Sequence, residues 1–79
     1  MEVDVVLESR AGEIVGVEVK ASANVKPDDF RGLRELSAIA GDRFIRGVVL
    51  YTGSEPVSFG KNLLAVPVSS LWSSDSKSL

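Results

Sequence analysis

Apolar and polar residues mostly alternate through Glu2-Val3-Asp4-Val5-Val6-Leu7-Glu8, and a β-branched run with that period reads as a strand. Glu13 to Lys20 reads the same way, and Ser9-Arg10-Ala11-Gly12 between them is turn chemistry. A loop of Arg10, Ala11 and Gly12, with Gly12 in the left-handed region, pairs Ser9 with Glu13. That register then sets Leu7 opposite Val15, Val5 opposite Val17 and Val3 opposite Val19, which makes one wholly apolar face. The other face carries Glu8 opposite Ile14, Val6 opposite Gly16, Asp4 opposite Glu18 and Glu2 opposite Lys20. A slip of one residue would mix the two sets, so the hydrophobic pattern fixes the hairpin's register.

After the connection Ala21 to Lys26 the period changes. Pro27-Asp28-Asp29 opens a helix, because proline is tolerated in the first turn and acidic residues complement the N-terminal dipole. Phe30, Leu33, Leu36, Ile39 and Ala40 recur at helical spacing, Arg31, Arg34 and Glu35 fall on the wet side, and Gly41 stops the helix. Gly32 costs about 1 kcal/mol relative to alanine inside a helix, so it marks a close approach to the sheet or to a ligand. The nearly continuous apolar run Phe44 to Tyr51 reads as a central strand covered on both faces. Thr52 to Pro56 is a turn, Leu63 to Pro67 a last strand with Pro67 placing its end at an edge, and Val68 to Trp72 a short helical cap. Strand, helix and strand from Val15 to Tyr51 form a right-handed parallel crossover. The expected fold is α/β, a mixed sheet of about four strands with a helix on one face. Residues 1–72 make a single domain and residues 73–79 a disordered, solvated serine-rich tail. One helix covers one sheet face only, so the remaining apolar face is expected to drive self-association, most simply as a twofold dimer.

Composition narrows the chemistry. The 79 residues include no cysteine and no histidine, which excludes a disulfide framework, a His-ligated zinc and a Ser-His-Asp triad. No residue type here points to an oxidising compartment, no membrane span is present, and a cytoplasmic location is expected. Any metal must be held by oxygen, which favours magnesium, manganese or calcium. The net charge of −2 is a poor footprint for an autonomous nucleic-acid binder.

Within this frame the hairpin carries the one constellation with chemical content. Like charges directly opposed across strands are destabilising, so Asp4 facing Glu18 is a local violation of the kind that marks functional sites. Two such carboxylates can share a divalent cation, and Lys20 on the same side could hold a nucleophilic water or neutralise charge on a phosphate oxygen. The same pattern also fits an ordinary half-exposed hairpin with a Glu2–Lys20 surface pair. Lys26, Arg31, Arg34, Arg43 and Arg46 either converge to track a phosphate backbone or simply solvate the helix and its loops. Tyr51 and Trp72 either stack a base or pack in the core.

Asp4, followed by Glu18-Val19-Lys20, resembles the PD-(D/E)XK signature of the restriction-endonuclease-like superfamily. Glu2 to Glu8, Gly16 to Ser22, Asp29 to Leu33, Gly47 to Gly53 and Val66 to Trp72 are together similar to a domain of unknown function that ends many bacterial and archaeal AAA-type ATPases. The resemblance implies a restriction-endonuclease-like core with Asp4 and Glu18 as metal ligands and Lys20 as the catalytic lysine. It implies magnesium as cofactor with manganese as substitute, nucleic acid as substrate and the ATPase portion of a parent chain as partner. Glu2 is an adjunct, and Ser22 either contacts a phosphate or is a polar loop residue. Nothing before Glu2 can supply the superfamily's first core helix and strand, and no Gly-x-x-x-x-Gly-Lys-Ser/Thr run is present, so a fragment is expected. The alternative is a non-catalytic structural or interaction module that keeps the nuclease-like fold.

Overall fold

The computed structural model describes residues 2–71. Strands β1 (Val5–Glu8) and β2 (Ile14–Val19) form the hairpin, followed by α1 (Arg31–Ala40), β3 (Phe44–Tyr51), β4 (Val57–Ser58) and β5 (Leu63–Pro67). One five-stranded mixed sheet runs β1-β2-β3-β5-β4, with β2, β3 and β5 parallel and the two outer strands antiparallel to their neighbours. The α/β architecture is therefore the expected one. The additional strand is β4, whose two residues are too few to show a period.

The hairpin register follows from its turn. Gly12 has φ 87° and donates to the Ser9 carbonyl at 3.0 Å, while the Ser9 N–H reaches the Glu13 carbonyl at 2.9 Å. Val5 pairs with Val17, Val6 with Gly16, Leu7 with Val15 and Glu8 with Ile14. The ladder stops there, and the expected rungs Val3–Val19, Asp4–Glu18 and Glu2–Lys20 are absent from it. At Asp4 the chain leaves the strand because the Asp4 carboxylate takes the Val19 N–H at 2.8 Å, the donor that a rung at Val3 would have used. Val3 instead packs into the core, on the opposite side from the one its parity predicts.

A 3₁₀ turn, Pro27–Phe30, precedes α1, and a second, Gly41–Arg43, follows it. Phe30, Leu33, Leu36 and Ala40 are buried against the sheet. Ile39, expected among them, is 70% exposed, because it lies roughly 90° around the helix from the Leu33–Leu36–Ala40 stripe. The helix covers the sheet face bearing Ile14, Gly16, Gly47, Val49, Tyr51 and Ala65, and the glycines permit its approach. A Cβ on Gly16 would lie 2.7 Å from side-chain carbons of both Leu33 and Leu36. The opposite face bears Val5, Leu7, Val15, Val17, Val19, Val48, Leu50, Leu64 and Val66, and none of these is buried. Strand β3 is thus central but covered on one face, not two.

Strand β5 is also internal rather than an edge, since β4 pairs with it at Ala65 and Leu64. Pro67 stands beyond those two rungs, where its missing N–H interrupts no pairing with β4. Residues 69–71 are helical, as the expected cap requires. Trp72 and the serine-rich segment 73–79 lie outside the described residues.

Candidate active site

The exit of β2 and the entry to α1 face each other, and Glu2, Asp4, Glu18 and Lys20 gather at that junction. Glu18 is the last residue of β2 to point toward the helix side, and Lys20 follows it at the same parity, its N–H bonded to the Leu50 carbonyl at 2.8 Å. Asp4 reaches the junction from the first strand's N-terminal side by its bond to Val19. It meets Glu18 not as a cross-strand rung but beside the Asp4–Val19 bond, close enough for a protonated Glu18 to share its proton with the Asp4 carboxylate. The expected juxtaposition of Asp4 and Glu18 is thus present with a different backbone geometry.

Electrostatics separate the two acids. Burial raises the Glu18 carboxyl to about 7, and the Asp4 hydrogen bond and the charges of Asp4 and Glu2 push in the same direction. Asp4 goes down instead, held ionised first by the Val19 N–H and then by the Glu18 carboxyl. Between the two values the pair therefore holds one proton on two carboxyl groups, and it releases that proton as the pH passes through about 7.

Lys20 does not pair with Glu2. Its ammonium lies 2.5 Å from Oδ2 of Asp29, and that same oxygen accepts the Lys26 N–H at 2.7 Å. The Lys20 side chain is 26% exposed and that of Asp29 24%. Lys20, followed by the Lys26 N–H, lowers the Asp29 carboxyl below its ordinary value. Asp29 was legible in the sequence only as a helix-dipole residue; its bond to Lys20 is a tertiary contact with no local signature.

A cleft of about 550 Å³ opens at this junction, with Glu2, Glu18, Lys20, Asp28, Asp29 and Glu35 among its charged walls. Gly32 lines it, and the close approach there is to the segment before β1 rather than to the sheet or a ligand: a Cβ would strike the Glu2 carbonyl oxygen. Ser22 is turned to its own loop, where its hydroxyl accepts the Asn24 N–H at 3.0 Å. Of the five basic residues only Arg31 shares the cleft with Lys20, Lys26 acts on its partner Asp29, and Arg46 lines a separate hollow near Leu63. Arg31 reaches the cleft but pairs with Asp28 at 2.6 Å, Arg34 donates to the Pro27 carbonyl, and Arg43 lies 3.9 Å from Glu8. Tyr51 is buried in the core and its hydroxyl donates to the Glu55 carbonyl, so it offers no face to a base.

Among the described residues no group of three or more Asp, Glu, His or Cys is arranged to hold a metal ion. Asp4 and Glu18 supply two carboxylates in mutual contact, and magnesium commonly takes one or two protein carboxylates and completes its shell with water and phosphate. The donor set is therefore compatible with magnesium, and a cation between the two acids would offset both the burial and the like-charge repulsion that raise Glu18.

A family model described as Domain of unknown function (DUF4143) matches residues 1–71. The chain belongs to that family. No curated protein and no solved structure matches it. Membership of DUF4143 bears out the expected domain of unknown function, and the match itself carries neither an ATPase setting nor a nuclease signature. Among the described residues of this DUF4143 domain, no helix is long and apolar enough to cross a membrane.

Proposed function

We propose that the domain is a nuclease-like module of an ATPase-associated protein, with a magnesium-dependent phosphodiester-hydrolysing centre at Asp4, Glu18 and Lys20. The observation that carries this reading is the meeting of the Asp4 and Glu18 carboxyls at the end of β2, with Lys20 lining the same cleft as Glu18. Asp4 and Glu18 would hold the cation, with manganese as substitute, and Glu2 adds negative charge beside them. A bound magnesium would supply a polarised phosphoryl oxygen and a more acidic water. Lys20 would contribute a hydrogen-bond donor and positive charge to the phosphate, in a cleft whose other charged walls are mostly acidic. Without a cation those walls repel a nucleic acid, so metal is expected to precede substrate.

The test is cleavage of single- and double-stranded DNA and RNA in millimolar magnesium or manganese. Asp4→Ala, Glu18→Ala and Lys20→Met should each remove the activity, and NMR shifts at residues 4 and 18 should follow the metal. A wild-type protein that neither cleaves nor responds to metal would overturn the reading.

A second reading, a non-catalytic structural or interaction module, is favoured by the bare aliphatic sheet face and by β1. Edge strand β1 exposes Val5, Val6 and Leu7 together, with no proline, lysine or bulge to blunt it, whereas the opposite edge is two residues long and follows Pro56. Such an edge accepts a strand from a second copy of the chain, extending the sheet and joining the two aliphatic faces. Light scattering across a concentration series tests it: the wild type should self-associate, Leu7→Lys should reduce this, and a wild type monomeric throughout would sink it.

A further inference from the structure

The Lys20 side chain is held at both ends. Its backbone N–H is fixed to Leu50 of the central strand, and its ammonium is fixed to Asp29 in the turn before α1. Asp29 is itself anchored, because the oxygen that receives Lys20 also takes the Lys26 N–H, and the Asp29 N–H donates to the Lys26 carbonyl at 2.9 Å at the start of that turn. A lysine ordinarily gives up much side-chain entropy to hold one position, and here the anchored carboxylate supplies the constraint. Both partners line the cleft that contains Glu18. Lys61, in contrast, is exposed.

We propose that Asp29 is the positioning residue of this site, fixing the Lys20 ammonium on the helix side of the cleft while Glu18 lines its strand side. The chemical purpose of that placement rests on the phosphodiester-hydrolysis reading, but the placement does not. An anion entering the cleft then meets an ammonium already oriented, and shares it with Asp29 rather than recruiting it from solvent.

Amine acetylation with an N-hydroxysuccinimide ester, followed by peptide mass spectrometry, reads the placement directly. In the folded wild type Lys20 should react about fivefold more slowly than Lys61, and raising the salt to about 1 M should narrow that gap. Asp29→Asn should remove the protection with Lys61 unchanged, and Asp29→Glu should restore part of it. Equal rates at Lys20 and Lys61 in the wild type would overturn the proposal even if Asp29→Asn fails to fold. Protection that persists in a folded Asp29→Asn protein would overturn it as well. If the wild type cleaves nucleic acid, Asp29→Asn should lower kcat more than it raises KM, and Asp29→Glu should recover part of the loss. If the wild type cleaves nothing, the hydrolytic reading fails while the acetylation rates still decide the role of Asp29.

Discussion

The two faces of the sheet are built on opposite rules. On the helix side the strands contribute Gly16, Gly47 and Ala65 with Val49, small groups that let Leu33 and Leu36 come down onto the backbone. On the other side nine aliphatic residues stand in rows with no helix over them, and Val19 and Leu7 are 56% and 55% exposed. The more hydrophobic face is thus the less buried one. A packed interior here depends on room for interdigitation as much as on apolar character, and the face with the paired glycines at its centre received the helix.

The sharpest way to break that contrast is to truncate one residue on each side. Leu33→Ala, at a fully buried position, should cost about 2–5 kcal/mol in urea unfolding. Val19→Ala on the open face should stay within about 0.5 kcal/mol, and equal losses would show that the two faces do not differ. Next comes Gly32→Ala. Helix propensity alone would make it stabilising by about 1 kcal/mol, but the clash with the Glu2 carbonyl should reverse the sign and cost about 1–3 kcal/mol. A stabilised variant would mean that the segment before β1 does not cross the helix start.

The pH dependence is smaller and has a definite sign. Between the ordinary value of 4.5 and about 7 the folded chain keeps the Glu18 proton that the unfolded chain has released. The folded state binds more protons in that window, so stability should fall as pH rises through it. Asp4 and Asp29, whose carboxyls are lowered, act in the opposite sense below that window, where their contribution is lost as pH falls. Thermal melts of Glu18→Gln should flatten the decline between pH 4.5 and 7. The least effect on folding is expected from Leu7→Lys, within about 0.5 kcal/mol, with its consequence confined to association.

Much of this was legible in the residues. Gly12 and the valine alternation set the hairpin rungs, Pro27 and the two aspartates marked the approach to the helix, and the parallel crossover followed from chain order. What the alternation did not reveal was which face the helix would take, although Gly16 and Gly47 at matching positions on neighbouring strands were a signal of close approach. At the site, parity brought Glu18 and Lys20 to one side, but it overextended β1. A short polar side chain can replace a backbone rung, and Asp4 does so, releasing Val3 and Glu2 to cross toward the helix. The Lys20–Asp29 bond was beyond local pattern because it joins two elements that meet only after folding.

The strand order has a kinetic consequence. β1 with β2, and β4 with β5, are antiparallel pairs closed within short stretches of chain, whereas β3 has only parallel neighbours, reached through longer excursions. Loop-closure entropy favours the two local ribbons as early intermediates and leaves the strand from Phe44 to Tyr51 as the zipper that must unite them. Pulsed hydrogen exchange during refolding should then find amides of the β1–β2 ribbon protected before those of β3, so that the middle of the sheet is the last part of it to become permanent.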